Sequence, residues 1–380
     1  MRLILTVERY APAIGGAERV VQRIGEGLAA RGHGVTVVTS GKRASEFRDG
    51  VQIERFPVRG NRKQGIRGDV AAPLELIRRI DPDVILSYAA QTWTSDACAG
   101  LLDEIGRPAL VLAPCGFSAL RVPGWEAYFE QMRRLLPRYD ALIFHSSHYQ
   151  DWDFAVAAGA ESRHVIPNGA DPNTGSGRFR SHLAPGERLM LTVASHVRSK
   201  GHRDSARALR SVRPGRRVRG VIVAPPRRGT DALRGCQPLC AALNALPGNG
   251  LQLLDGRRRA TVEDAMASAD VFLLPSSVEC SPLVIIEAMA AGLPWVSYDV
   301  GNVRELSGGL VVDGPTELAA AVAEILDGRH PELGAAGRRA WDGDHRWEDI
   351  VPRYERVLEL AADTRRRTVA GDETLTARTE

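Results

Sequence analysis

Between Ser277 and Pro294 the chain reads S-V-E-C-S-P-L-V-I-I-E-A-M-A-A-G-L-P. Two carboxylates, Glu279 and Glu287, stand either side of a Ser281-Pro282 turn and the start of a helical run, directly after the apolar strand Val271–Pro275. A strand–loop–helix unit of this kind turns free backbone N–H groups and the positive end of a helix dipole toward whatever sits above the sheet. Cys280, Ser281, Pro282, Leu283 and Val284 therefore read as a phosphate seat. The two Glu side chains would accept hydrogen bonds from hydroxyls. Phosphate with hydroxyls on both sides describes a nucleotide-sugar. The plainer alternative is an ordinary loop acid and an ordinary helix residue.

A second candidate follows the strand Leu189–Ala194, where the chain runs Ser195-His196-Val197-Arg198-Ser199-Lys200-Gly201-His202. Lys occurs at positions 42, 63 and 200. Lys200 lies between a strand and a helix, where its ammonium could reach a diphosphate; the alternative is a solvated loop cation. Gly15-Gly16, between the first strand and its helix, would let a ligand approach the backbone closely. Phe117, Trp125 and their aromatic neighbours could stack on a sugar or cyclitol acceptor, or simply fill the core. His145 and His148 read as structural or acceptor-side residues. Two D-x-D patterns, Asp81–Asp83 and Asp151–Asp153, do not sit at the carboxyl end of a strand, so no metal site is assigned to them. Cys236 and Cys240 are four apart, but no second Cys/His pair stands near them in the sequence to complete a zinc site.

These residues need a scaffold. The first half alternates strands (Leu3–Val7, Val35–Thr39, Val51–Phe56, Val84–Ser87, Ala109–Ala113, Ala141–Phe144) with helices such as Ala17–Arg31, Ala72–Arg79 and Glu126–Leu136. A Gly/Pro/Asn-rich stretch interrupts at Ile166–Gly177, and alternation resumes through Leu189–Ala194, Val218–Ala224, Leu251–Leu254, Val271–Leu274, Trp295–Tyr298 and Leu310–Val312. Alternation of this sort predicts an α/β chain with two doubly wound, Rossmann-like domains facing each other across a cleft, with ligands at the carboxyl ends of the strands. The expected division is 1–166, a linker at 167–187, a second domain at 188–345, a closing helix at 346–362 and a disordered polar tail at 363–380.

The chain has 380 residues, 44% hydrophobic and 25% charged, with a net charge of +4. The balance is mild and the charges are mixed, which argues against a nucleic-acid partner. No apolar run is long enough to span a bilayer, and the N-terminus reads as a strand rather than a signal peptide. Five irregularly spaced cysteines suit a reducing, cytoplasmic setting. The basic stretch Arg59, Arg62, Lys63 and Arg67 reads as a solvated loop; a mobile acceptor lip, or peripheral contact with anionic lipid at the inner membrane face, is the other reading.

The stretch from Ser277 to Pro294 resembles the S-x-E-x-x-P-L-x-x-x-E-A-M-A-x-G-x-P signature of the family 4 retaining glycosyltransferases, which have the GT-B fold. Gly15-Gly16-Ala17-Glu18 resembles that family's G-G-A-E loop, which faces the donor phosphate and the acceptor. Ile166-Pro167-Asn168-Gly169-Ala170-Asp171 resembles its I-P-N-G-x-D segment. The resemblance implies a retaining, metal-independent transfer of sugar from a nucleotide-diphosphate donor to a hydroxyl on a glycan, lipid-linked sugar or natural-product aglycone, with no resident cofactor. By the same resemblance the second domain holds the donor, Glu287 binds ribose hydroxyls, Glu279 binds sugar hydroxyls and Lys200 stabilises the leaving diphosphate. Gly16 would face the donor and Gly15 the acceptor. Two places depart from the family. Many relatives carry His at about the Cys115 position, so no catalytic role transfers there. The phosphate loop G-R-x-x-x-x-K-G is matched at Lys200-Gly201, whereas Ala194 and Ser195 occupy the Gly and Arg places. Arg198 and His196 are the nearby candidates for the missing cation. A GT-B nucleotide-sugar epimerase and a non-catalytic nucleotide-sugar-binding protein are the alternatives. A nicotinamide oxidoreductase would need a Gly-rich dinucleotide fingerprint, which neither first loop supplies.

Overall fold

Short Val/Ile/Leu-rich segments, buried on both faces, form the strands of two parallel sheets in the computed structural model, which describes residues 1–226, 235–246 and 248–376. The chain divides into two units: residues 1–168 with 347–380, and residues 169–346.

The first unit runs β1 (Arg2–Thr6), α1 (Gly16–Ala30), β2 (Gly34–Ser40), β3 (Ala44–Arg48), β4 (Val51–Phe56), the hairpin β5 (Arg59–Asn61) and β6 (Gly65–Arg67), and α2 (Ala71–Ile80). It continues with β7 (Val84–Tyr88), α3 (Trp93–Cys98), β8 (Ala109–Ala113), α4 (Glu126–Leu135), β9 (Ala141–Phe144), α5 (Gln150–Ala157) and β10 (Arg163–Val165). Its main sheet has the order β10-β9-β8-β7-β1-β2-β4-β3, parallel except for β3 against β4. β3 was not expected. Its five residues are all exposed, so no alternation marks them, and the edge pairing with β4 alone makes them a strand. The basic stretch read as a loop is the β5–β6 hairpin, held where the Asp96 carboxylate accepts from the Arg62 amide at 2.7 Å.

The second unit runs β11 (Arg188–Val193), α6 (His202–Val212), β12 (Val218–Ala224), α7 (Gln237–Ala245), β13 (Leu251–Asp255), α8 (Arg259–Ser268), β14 (Val271–Leu274), α9 (Leu283–Ala290), β15 (Trp295–Tyr298), β16 (Gly309–Val312), α10 (Pro315–Leu326) and α11 (Leu333–Asp344). Among the described residues its sheet is all parallel, in the order β13-β12-β11-β14-β15-β16. This is the dinucleotide-fold order, with its reversal between β11 and β14. One face packs against Ile285, Ile286 and Met289 of α9, the other against Leu209 of α6 and Leu318 of α10.

The expected linker at 167–187 is sewn to the second unit. The Ser176 amide donates to Asp264 at 2.8 Å, Asn173 donates to the Glu263 carbonyl, and a Cβ on Gly175 would collide with the Glu263 backbone. Polar turn residues look like linker in a sequence, yet here they bind the middle of α8. The last helix, α12 (Trp347–Thr376), belongs to the first unit and extends past the expected end at residue 362. Of the tail expected to be disordered, 363–376 is helical, and 377–380 lie outside the described residues. Polar composition misled here, because Arg366 ion-pairs with both Asp83 and Asp363 and so supports the helix. Glu355 on α12 accepts from Arg31 at 2.6 Å and contacts His33 at 2.7 Å, and Tyr354 is wholly buried. No described helix is long and apolar enough to cross a membrane.

α1 meets α12 where Gly27 lies under Val351; a Cβ there would come within 2.6 Å of a Val351 methyl. Gly27→Val should therefore overpack this seam and destabilise the first unit by about 1–3 kcal/mol. Denaturant titration of the variant should show a lower midpoint, and an unchanged midpoint would mean the seam is loose.

Candidate functional site

The reversal of strand order places the loops after β11 and β14 side by side, since those strands are hydrogen-bonded neighbours. Lys200 ends a short 3-10 turn, Arg198–Lys200, in the first loop, and Glu279 sits in the second. Their side chains meet, with Nζ donating to Oε1 at 2.6 Å, and the Glu279 carboxylate is only 12% exposed. Two features hold the loops together. The Ser277 amide donates to the Ser199 carbonyl at 2.8 Å. Gly201, at φ +66°, lies so close to the Pro275 carbonyl that any Cβ would collide with it. A left-handed position pressed against backbone leaves glycine as the residue that fits, and Gly201 is also the N-cap of α6.

The second loop enters α9 at Leu283, with Pro282 as its N-cap. Cys280 is pinned from behind: its carbonyl accepts the Asn302 amide at 2.9 Å, and Gly301, at φ +57°, leaves no room for a Cβ against it. Cys280, Ser281, Pro282, Leu283 and Val284 thus form one braced turn with the first α9 amides at its end. Glu287 lies on the following turn of the same helix. One of its oxygens is bound by Arg259, the first residue of α8, which also donates to Glu263 at 2.8 Å. Burial acts to lower the Arg259 pKa, but the Glu287 and Glu263 carboxylates outweigh it and raise it. This ion pair fixes the position of Glu287 on the helix. Beside Arg259, a cavity of about 600 Å³ opens at the end of β13, lined by Phe179, Leu254, Asp255, Arg257, Arg258 and Thr261. Sequence reading missed Arg259 and this cavity. Arg is common throughout the chain, and only the fold shows which one faces Glu287.

The two candidate replacement cations part company. Arg198 is exposed at the start of the 3-10 turn and makes no ion pair among the described residues. His196 is 1% exposed, its ring edge-on to His202 at 5.3 Å and its Nδ1 3.7 Å from the Cys236 sulfur. His196 is therefore turned into the protein and does not serve as a phosphate-facing cation. The same contact corrects the reading of Cys236 and Cys240: the fold brings them the second pair that the sequence did not show nearby, His196 and His202. Ser195, half-buried, uses its carbonyl to accept the Val197 amide at 2.7 Å and so shapes the start of the loop.

The remaining candidates lie in the first unit. Gly16 opens α1, with Gly15 as its N-cap in extended backbone. A Cβ on Gly15 would strike the Glu18 carboxylate, which is buried and ion-paired with Arg9 at 2.8 Å. Phe117 is wholly enclosed, edge-on to Phe129 and Phe154, so its ring fills the core and is not presented to an acceptor. Trp125 is half-buried against Tyr128 and Phe129. Asp151 of the second D-x-D accepts the Gly116 amide at 2.7 Å, while Gln150 donates to the Gly116 carbonyl, so both residues clamp the Cys115–Phe117 turn. Burial pushes the Asp151 carboxyl up to about 6. Asp83 of the first D-x-D accepts the Arg2 amide at 2.7 Å. His145 is buried between the Tyr88 hydroxyl, 2.9 Å away, and the Ile166 carbonyl, and burial lowers its pKa. Burial likewise pushes the Cys115 thiol up to about 12.

The pattern "Glycosyltransferase Family 4" matches residues 14–174, and "Glycosyl transferases group 1" matches residues 187–328. The chain belongs to the family 4 glycosyltransferases. It is 26% identical over 396 residues to a GDP-mannose-dependent alpha-mannosyltransferase of Corynebacterium glutamicum, covering 95% of this chain and 90% of that protein. It is 34% identical over 167 residues to a D-inositol 3-phosphate glycosyltransferase of Geodermatophilus obscurus, but that match spans 40% of this chain and only 35% of the relative. Sucrose-phosphate synthase from Thermosynechococcus elongatus shares the fold at a TM-score of 0.79 and 20% identity, covering 94% of this chain and 98% of that one. Anabaena HepE, solved with UDP-glucose, does so at 0.73 and 19%, covering 94% and 99%. The glycosyltransferase therefore has the GT-B architecture of two Rossmann-like domains.

Proposed function

We propose that this glycosyltransferase moves a hexose from a nucleoside-diphosphate sugar to a hydroxyl acceptor with retention of the anomeric configuration and without a catalytic divalent ion. The observation that carries this is the Lys200–Glu279 contact where the strand order reverses. An ammonium and a carboxylate so close bind neighbouring groups of one ligand. The ammonium suits a phosphate oxygen and the carboxylate a sugar hydroxyl, so the contact marks the phosphate–sugar junction of the donor. The α9 amides add partial positive charge to the departing diphosphate. Glu287, steadied by Arg259, takes the ribose hydroxyls, and the adjoining cavity takes the base. The full-length relatives named for GDP-mannose make that the first donor to try.

Catalysis in this reading is positioning and charge stabilisation of an oxocarbenium-like transition state. The sugar–phosphate bond lengthens, the acceptor oxygen enters on the face the phosphate leaves, and the departing phosphate takes the acceptor proton. Gly15 and Trp125 belong to the acceptor side, and Gly16 faces the donor. The exposed hairpin cations Arg59, Lys63 and Arg67 offer charge to an anionic acceptor or an anionic membrane surface.

The test is a transfer assay with a donor panel and a proton NMR reading of the product anomer. The expected product keeps the donor's configuration and forms at the same rate with or without added Mg²⁺ or Mn²⁺. An inverted product, or strict dependence on either ion, would sink this mechanism, and an epimerised sugar formed without acceptor would favour the epimerase instead.

Glu287→Ala should weaken donor binding by roughly 1.5–3 kcal/mol, the worth of a charge-assisted hydrogen bond. Calorimetric titration checks this, and unchanged affinity would remove Glu287 from the site.

With Ser195 in the place of the family's Arg and His196 turned inward, Arg198 is the remaining loop cation beside Lys200. A guanidinium can hold two phosphate oxygens at once. Arg198→Ala should lower kcat more than it weakens donor binding, because leaving-group charge grows toward the transition state. Ser195→Arg in that background should recover part of the loss. Wild-type turnover in Arg198→Ala would leave Lys200 and the amides as sufficient.

A further inference from the structure

The second unit contains a closed set of two imidazoles and two thiols that the sugar-transfer chemistry does not use. His196 and His202 bracket the Lys200 loop, one just after β11 and the other the first residue of α6. Cys236 is the N-cap of α7 and Cys240 lies one turn further on the same helix. All four side chains are buried, and their ligand atoms lie within 4.8 Å of one another. The His202 Nδ1 is 3.2 Å from the Cys236 sulfur and 3.4 Å from the Cys240 sulfur, and the His196 Nδ1 is 3.7 Å from the Cys236 sulfur. A tetrahedral zinc, with Zn–S of ~2.3 Å and Zn–N of ~2.0 Å, sets sulfur–nitrogen edges of about 3.5 Å. The observed separations bracket that edge. The His202 Nε2 is buried with no hydrogen-bond partner among the described residues, so the polar contacts of this ring are with the two sulfurs.

Other readings fit less well. A disulfide between Cys236 and Cys240 is opposed by the helical bond from the Cys240 amide to the Cys236 carbonyl at 3.0 Å. Positions four apart on a helix hold their Cβ atoms about 5–6 Å apart, too far for a disulfide. A reactive thiol needs access, and both sulfurs are enclosed. A hard cation such as Mg²⁺ takes oxygen ligands, whereas two sulfurs and two nitrogens suit zinc.

We propose that His196, His202, Cys236 and Cys240 bind one structural zinc ion, which ties α7 to both ends of the loop that carries Arg198 and Lys200. Four protein ligands leave no open position, so the metal positions the loop and takes no substrate. Zinc binding displaces the thiol protons, leaving two thiolates against one dication. The site stands on its own geometry; its consequence for Lys200 rests on the function proposed above.

The experiment is elemental analysis of the full chain, without a polyhistidine tag, produced in zinc-supplemented medium under reducing conditions. One zinc per chain is expected. Reconstitution with Co²⁺ should give the intense visible bands of a tetrahedral ion and a thiolate-to-cobalt charge-transfer band. Cys240→Ser and His202→Ala should both lose the zinc and the charge-transfer band. Removing zinc from the wild type should lower Tm, and restoring it should bring Tm back. Wild-type protein that stays metal-free after incubation with zinc, or cobalt without the charge-transfer band, overturns the proposal even where a variant fails to fold. Zinc retained by both variants places the metal elsewhere and overturns it too. Donor binding, followed separately by calorimetry, keeps the two readings distinguishable. Zinc without donor binding upholds the site and removes its link to transfer, whereas donor binding by a protein that cannot take zinc overturns the metal site alone.

Discussion

The close approach of two strand-end loops in the second sheet is the constraint on which the rest depends. β11 and β14 are neighbours only because the strand order reverses between them. Their loops can touch only because Gly201 presents no side chain to the Pro275 carbonyl. Lys200 and Glu279, seventy-nine residues apart in sequence, then stand within one hydrogen bond. A larger residue at 201 would force the loops apart and separate the ammonium from the carboxylate. The chemistry proposed for this protein sits on a backbone contact that admits one residue type.

Support for that contact is layered outward. α9 is almost wholly buried, so its N-terminal amides and Glu287 are carried on a helix fixed by core packing. Asn302 and Gly301 brace Cys280 from the next loop. Arg259 reaches from α8 to fix Glu287. On the other flank, His196 and His202 join the Lys200 loop to α7 through the two thiols. The Lys200–Glu279 and Arg259–Glu287 pairs are thus partly buried, where electrostatic interactions are less screened than on a surface.

In the first unit the same economy of polar groups serves shape. Asp151, Gln150 and His145 each carry chemistry-capable side chains, yet each is used to clamp a turn or a strand end. Phe117, an acceptor candidate by its place after β8, is a core residue for the same reason: its turn folds inward under Asp151 and Gln150.

The sequence by itself determined the two α/β units, the strand-end placement of Lys200, Glu279 and Glu287, and the family. These are local properties, set by periodicity and by motifs whose residues are close in the chain. It also drew attention to the missing Arg at Ser195. Tertiary structure decided the rest. That Arg259 rather than another of the many arginines holds Glu287, that His196 faces inward while Arg198 stays exposed, and that the polar tail is helix through Thr376 all depend on partners distant in sequence. The clearest case is the thiol pair. Cys236 and Cys240 have no matching pair nearby in the chain, and His196 and His202 reach them only when α7 packs beside the loop after β11. Spacing records neighbours along the backbone, whereas four ligands around one point are a property of helices brought together by a shared core.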